Sequence, residues 1–413
     1  MFTAPDSGLR RCDEGFRPRS ACFLIDNINN IRLRLCSRKK SKFGLIGPLK
    51  ILHIYKDYFP VVGGIENHVR ILAEAQAAAG HSVSVVVCDP GRTSQQTYLN
   101  NVAIVKSGRL RTVASMPVSI THPFDIMQQK ADIVHVHSPY PLGEVSTWLF
   151  KHHIPAVITH HSDVVHQKKI LYLYGPFLKC ILRHVQAIIA TSPRYIKTSP
   201  WLAPLKNKCH VVPLGVDSSV FKPPEDGIPK PLVCNRLLFV GKLRYYKSLD
   251  TLLHALTLLP DVTLTIVGDG PMKNRWINDA QKADVADRVI FRGEAQDAVL
   301  PSVYHEANLF VLPASSRAEA FGTVLLEAMA SGLPCVTTEV DTGTSWLVQN
   351  GLTGAVVPPQ NPVALADSIR ELLADPDRLK RMGRNGRTRI EANFTTPMMV
   401  NGVMEVYRKV LQT

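Results

Sequence analysis

The sequence predicts an α/β protein built from two doubly wound domains that face each other across a cleft. Three observations carry this prediction. From Lys50 onward, short apolar runs alternate with longer stretches of helical periodicity, the pattern of a parallel sheet covered on both faces. A Pro-rich segment, Phe221-Lys-Pro-Pro-Glu-Asp-Gly-Ile-Pro-Lys-Pro231, interrupts the alternation near its middle and marks a domain boundary. The alternation then restarts at once, and 413 residues are enough for two cores.

Taken in order, Leu49–Tyr55 reads as a first strand, followed by a turn with Gly63 and Gly64. A helix is expected from about Ile65 to Ala79, closed by Gly80. Ser82–Cys88 is the next strand, with further strands at Val102–Val105, Asp132–His137, Ala156–His160, Ala187–Ala190 and Val211–Pro213. After the Pro-rich break, strands are expected at Arg236–Gly241, Val262–Gly268, Val289–Gly293, Leu309–Pro313, Pro334–Thr337 and Gly354–Val357. Helices fill the gaps, notably 248–258, 322–331 and 361–374, and apolar residues at helical spacing over Phe394–Leu411 give a last helix. The expected division is 1–45 as a basic N-terminal extension, 46–213 as a first domain, 214–232 as a linker, 233–395 as a second domain and 396–413 as a C-terminal helix.

Charge is unevenly spread. The net charge of +14 divides into +7 over residues 1–50, +8 over 51–212 and −1 over 213–413. Residues 1–45 read as a disordered or over-called extension, with a membrane-touching basic arm as the competing reading. No contiguous basic stripe with interleaved aromatics occurs beyond that tail, which argues against nucleic acid as a partner. No apolar run reaches the roughly 20 residues that span a bilayer. The 8 Cys show no CxxC pair, so they read as buried hydrophobes or free thiols of a reducing compartment. His152-His153 and His160-His161 have no third ligand at metal spacing, and no metal site is expected.

Three segments carry candidate chemistry. Gly63-Gly-Ile-Glu-Asn-His68 lies between the first strand and helix, where glycines admit a close group and helix amides attract an anion. It lacks GxGxxG spacing, and a plain turn is the competing reading. Phe239-Val-Gly-Lys-Leu-Arg-Tyr-Tyr-Lys-Ser248 repeats the device: Gly241 turns, and Lys242, Arg244 and Lys247 supply charge for a diphosphate, against a solvated turn as the plainer reading. Ala318-Glu-Ala-Phe-Gly-Thr-Val-Leu-Leu-Glu-Ala-Met-Ala-Ser-Gly332 is the strongest signal. The free amides of Gly322, Thr323 and Val324 are expected to hold phosphate oxygens, bracketed by the carboxylates of Glu319 and Glu327. His135 and His137 are expected to face opposite sides of their strand, with His137, nearer its C-terminal end, toward the cleft.

The stretch from Glu319 to Glu327 resembles the acidic-x7-acidic motif of the retaining GT-B glycosyltransferases of family 4. The other pieces follow in that family's order: Gly63-Gly64, Asp132-Ile-Val-His-Val-His137, Gly241 with Lys247, and Val267-Gly-Asp-Gly-Pro271. The resemblance covers roughly residues 48–413. His161-Ser-Asp-Val-Val-His-Gln-Lys168, Thr191-Ser-Pro-Arg-Tyr195, Arg244-Tyr-Tyr-Lys247 and Thr342-Gly-Thr-Ser345 further resemble bacterial polysaccharide and O-antigen mannosyltransferases.

The resemblance implies a GT-B fold and transfer of a hexose from a GDP- or UDP-linked sugar with retention, without a metal. It implies that Glu319 binds donor-sugar hydroxyls and Glu327 the ribose. The amides after Phe321 and Lys247, with Lys242 or Arg244 as second cation, would neutralise the diphosphate, and Gly64 would approach it from the first domain. His137 would orient or charge-stabilise the reacting sugar. Asp163 and Lys168 follow a strand end and are candidates for the acceptor, with a solvated loop as the competing reading. The basic, apolar segment Lys168–Arg183 suits an anionic membrane surface presenting a lipid-linked glycan, against a core-facing helix broken at Pro176. The implied place is cytoplasmic, peripheral on the inner face of the plasma membrane. Rival readings are a GT-B epimerase, a phosphorylase, or an inactive nucleotide-sugar scaffold.

Overall fold

The computed structural model describes residues 47–412 except 62, 114–115, 165–167 and 225–234, and of 168–170 the backbone only. The expected N-terminal extension and most of the Pro-rich segment Phe221–Pro231 therefore lie outside the described residues.

The first sheet contains β1 (Lys50–Ile54), β2 (Ser82–Asp89), β3 (Gln95–Leu99), β4 (Val102–Gly108), β7 (Ile133–Ser138), β8 (Ala156–His160), β9 (Ala187–Ala190) and β10 (Cys209–Val211). A separate hairpin joins β5 (Arg111–Val113) to β6 (Met116–Val118). The eight strands run in the order β10-β9-β8-β7-β1-β2-β4-β3, all parallel except β3. That edge strand was not expected from the sequence. It is made by the two-residue turn Asn100-Asn101, whose φ values of 48° and 63° are those of a tight hairpin turn, and Asn tolerates that region better than most residues.

The second sheet contains β11 (Asn235–Val240), β12 (Val262–Val267), β13 (Val289–Gly293), β14 (Leu309–Leu312), β15 (Cys335–Thr338) and β16 (Gly354–Val357), ordered β13-β12-β11-β14-β15-β16 and wholly parallel. Strands β9 and β14 are buried at every residue, which is why they read as unbroken apolar runs rather than alternating ones, whereas β7 and β8 are as fully buried but carry His and Thr. Each sheet reverses its winding once, between β1 and β7 in the first and between β11 and β14 in the second. Ligands of open α/β sheets bind at the carboxyl ends of strands beside such a reversal.

The last helix, Thr396–Leu411, closes the first domain although it follows the second in sequence. The chain returns at Thr395, which bridges to Val216, and Gly215 leaves room for this crossing because a Cβ there would sit 2.7 Å from the Thr395 carbonyl. From that helix the Tyr407 hydroxyl pairs with His135 Nδ1 at 2.6 Å, both groups being fully buried. Tyr407→Phe strands one polar atom of the imidazole in the core. It is expected to lower unfolding stability by about 2 kcal/mol, measured as a shifted denaturant midpoint at unchanged slope; an unchanged midpoint refutes the contact.

Candidate active site

The loops after β11 and β14 meet where the second sheet reverses. Gly241 leaves β11 with φ +144°, a conformation that a side chain resists, and an added Cβ would lie 3.4 Å from Lys247 Nζ. The chain then makes a short 3-10 turn over Tyr245–Lys247, and Ser248 takes a left-handed φ of 51° before the helix Leu249–Thr257. This folds Lys247 inward, and its ammonium meets the Glu319 carboxylate at 2.6 Å with both side chains buried. Arg244 stays half-buried, and its charge acts on Tyr246 and on Tyr55 at the end of β1, so it faces the first domain. Lys242 is exposed. Of the two candidate second cations, Arg244 is the better placed.

Glu319 is held by its backbone. Its carbonyl accepts from Thr342 Oγ1 at 2.8 Å, and the next carbonyl, Ala320, accepts from Gly343 N at 2.8 Å. Gly343 packs so tightly against Phe321 that a Cβ would clash at 2.6 Å. Gly322 turns left-handed with φ +79° and starts the helix Thr323–Ala330 with no side-chain cap. The free first-turn amides of Thr323 and Val324 remain available to an anion. Opposite stands Gly64, the first residue of the helix Gly64–Ala78, where a Cβ would be 3.5 Å from Thr323 Oγ1. Two helix N-termini from the two domains thus converge, with Gly63 extended just before.

Glu327 lies one turn into its helix and accepts from the Tyr304 hydroxyl at 2.7 Å. Burial pushes its carboxyl up, the Tyr304 hydrogen bond pulls it down, Asp297 raises it and Lys247 lowers it; the outcome is about 7.

The first domain gathers histidines. His53 on β1, His135 and His137 on β7, His68 on the Gly64–Ala78 helix and His161 after β8 are all buried. His135 and His137 share one face, their rings stacked at 4.3 Å, because residues two apart in a strand point the same way. The expectation that they face opposite sides is corrected here. His137 has both nitrogens engaged, Nε2 with His53 Nδ1 at 3.1 Å and Nδ1 with His161 Nε2 at 3.0 Å. Burial drives all five imidazoles below their ordinary range, His53 to about 4 and His68 to about 3. They are neutral at pH 7, so His137 brings no positive charge to a reacting sugar.

Asp163 serves differently from the expected acceptor contact. Its carboxylate accepts from His160 Nε2 at 3.0 Å, Ser199 Oγ at 2.8 Å and Arg317 Nη2 at 3.1 Å, which uses its oxygens within the protein. Burial raises this carboxyl, but the His160 bond and charge, then Ser199 and Arg317, pull it down to about 2. Arg317 belongs to the second domain and also donates to Thr198 Oγ1 and the Asp341 carbonyl, each at 2.8 Å. Its guanidinium lies over the Tyr195 ring at 5.1 Å. A lone Arg in a loop carries no motif, so sequence reasoning missed this tie between domains. The Lys168 side chain lies outside the described residues.

Residues 228–389 match the family described as glycosyl transferases group 1, and residues 62–220 match glycosyltransferase family 4. The chain is 30% identical over 373 residues to an O-antigen chain mannosyltransferase C of Escherichia coli, covering 88% of this chain and 100% of that protein. It is 32% identical over 362 residues to the D-rhamnosyltransferase WbpZ of Pseudomonas aeruginosa, covering 84% and 92%. Among solved structures it superposes on a sucrose-phosphate synthase from Thermosynechococcus elongatus with a TM-score of 0.74 and 24% identity, covering 88% of this chain and 99% of that one.

Proposed function

The chain belongs to the family 4 glycosyltransferases of GT-B fold, and on that premise we propose that it moves a hexose, with mannose the leading candidate, from a nucleotide-diphosphate sugar to a lipid-linked or polysaccharide acceptor with retention of configuration. The observation that carries this reading is the Lys247–Glu319 pair set beside the Thr323 helix N-terminus, with Gly64 of the other domain 3.5 Å from Thr323 by its absent Cβ.

In this reading the diphosphate lies across the amides of Thr323 and Val324 with Lys247 and Arg244 as counter-charges, so no metal is needed there. Glu319 accepts from donor-sugar hydroxyls and sets the anomeric carbon in the cleft. Glu327 accepts from the ribose. Catalysis is then stabilisation of charge on the departing diphosphate, plus alignment of the acceptor hydroxyl, whose proton passes to the leaving phosphate.

The acceptor enters from the first domain. On the helix Lys168–His184 the exposed stripe holds Tyr172, 84% exposed, with Leu173, Phe177, Lys179 and Arg183. Aromatic and basic residues on one stripe suit an anionic bilayer surface. Among the described residues no helix is long and apolar enough to cross a membrane. A peripheral position on the cytoplasmic face of the membrane, where nucleotide sugars are present, follows from this reading.

The test is a panel of GDP- and UDP-sugars scored by thermal stabilisation, followed by transfer to lipid-linked acceptors with the anomeric configuration read by NMR. Release of nucleoside diphosphate only when acceptor is present separates a transferase from an epimerase. A sugar nucleotide that stabilises the protein but is never turned over leaves the scaffold reading instead, and a panel in which none stabilises it overturns the donor site itself.

Glu327 makes the donor step pH-dependent. Its carboxylate must be ionised to accept from the ribose, so affinity for a nucleotide sugar, whose diphosphate has no group titrating nearby, should rise with pH and level off above about 7. Tyr304→Phe removes a donor that favours the ionised form and should move that inflection upward. Titration calorimetry across pH decides it, and a flat profile for the wild type sinks the ribose role.

A further inference from the structure

We propose that His68, His137 and His161 form a three-imidazole site for one divalent transition metal of the zinc class. Their ligand nitrogens all lie within 4.8 Å of one another, although they come from a helix, a strand and a loop far apart in sequence. Imidazole nitrogens around zinc stand at about 2.0–2.1 Å from the ion, so nitrogens already this close need only small shifts to converge on it.

His68 supplies the independent observation. It is only 6% exposed, yet neither ring nitrogen has a partner among the described residues. Its ring lies edge-on to His161 at 5.1 Å and to His137 at 5.6 Å. A fully desolvated imidazole without a hydrogen bond costs on the order of 1–3 kcal/mol, and a bound ion would remove that cost.

The surroundings have the form of an outer shell. Gln76 Oε1 can only accept, so at 2.7 Å it fixes the proton of His53 on Nε2. His53 Nδ1 must then accept, which places the proton of His137 on Nε2, 3.1 Å away. His137 Nδ1 is left with its lone pair pointed at His161 and available to a metal. Ligating histidines commonly donate their other N–H to a fixed acceptor in this way. In the metal-free state His161 Nε2–H donates to that lone pair at 3.0 Å. On binding, the proton moves from Nε2 to Nδ1 of His161, with no net release.

The second triad, His53 with His135 and His137, is a poor competitor. His135 has Nδ1 on Tyr407 and Nε2 on Thr159 Oγ1, each at 2.6 Å. Three protein ligands leave a fourth position for water, and the ion would sit one helical turn below Gly64. It would pin the Gly64–Ala78 helix to β7 under the cleft.

The test uses the full chain, stripped with chelator and carrying no His tag, titrated with Zn²⁺ or Co²⁺ alone. One equivalent is expected to bind, Co²⁺ with the visible spectrum of a four-coordinate nitrogen site, and the melting temperature should rise. His68→Phe keeps the ring packing and breaks no hydrogen bond, so the metal-free variant should melt no lower than wild type but lose the Co²⁺ spectrum and the thermal gain. His161→Gln should lose both as well. Absence of stoichiometric binding overturns the proposal. So does binding that survives in His68→Phe but disappears when the exposed pair His152 and His153 is replaced.

Discussion

Glu319→Gln is expected to cut kcat by about a thousandfold while the protein remains folded. The carboxylate is buried with Lys247 as its partner at 2.6 Å, so replacing it acts on both charges of the site. Gln keeps the shape and one acceptor for the ammonium, but it cannot accept charge-assisted bonds from sugar hydroxyls. Losing one preorganised charge at a transition state typically costs 10²–10³ in rate, about 3–4 kcal/mol. Truncation to Ala would confuse the result, because an uncompensated buried Lys destabilises by several kcal/mol. Lys247→Met should be as damaging, chiefly through the departing diphosphate. The double variant should be little worse than either single, since the two side chains act as one unit. Circular dichroism and the melting curve report folding separately from turnover. Wild-type turnover in folded Glu319→Gln removes Glu319 from the donor site.

Lys247 and Glu319 were each legible in the sequence as site candidates because their backbone surroundings are unusual, but their pairing was not. Gly241 and Gly322 occupy left-handed positions that few other residues tolerate, so glycines stood at fixed offsets from Lys247 and Glu319 and marked the loops. The strands were legible because buried parallel strands are Val- and Ile-rich throughout, as in β9, Ala187–Ala190. What escaped had no local cause. Arg317 reaches Asp163, Thr198 and Tyr195 only once the two domains close. The five clustered histidines come from four separate stretches, and only their density in the first half of the chain, 13 of 15 lying between His53 and His210, hints at the cluster in the sequence. The last helix carries an amphipathic pattern that says it packs, but nothing in it names the first domain as its neighbour. Side-chain facing along β7 was recoverable from the period of a strand alone, and the expectation for His135 and His137 misapplied it.

Arg317→Ala is expected to raise the KM for the donor by about tenfold or more and to shift the molecule toward an open form. The residue spans the cleft: its fork donates to Asp163 at 3.1 Å, to Thr198 at 2.8 Å and to the Asp341 carbonyl at 2.8 Å, and its face covers Tyr195. Hydrogen bonds to charged groups contribute about 1.5–3 kcal/mol each when buried, and the partly exposed Arg317, at 25%, argues for the low end. About 1.4 kcal/mol lost from the closed state alone is a factor of ten in the population that binds donor productively. Because Asp163 is only 8% exposed, the variant also strands a carboxylate beside His160 and Ser199. In the wild type that carboxyl sits near 2 against an ordinary 3.8, so its stabilisation is complete above about 4 and lost as pH falls through 2. Without Arg317 the depression shrinks, and acid unfolding should begin at higher pH. Arg317→Lys restores the charge without the fork and should recover KM only in part. Arg194 also reaches across to Glu339 and Asp341, but its side chain is 40% exposed, so Arg194→Ala is the solvent-screened comparison and should change KM less than threefold. Solution scattering with and without donor measures closure directly. If Arg317→Ala closes on donor and keeps the wild-type KM, these contacts are surface ornaments of a cleft held shut by something else.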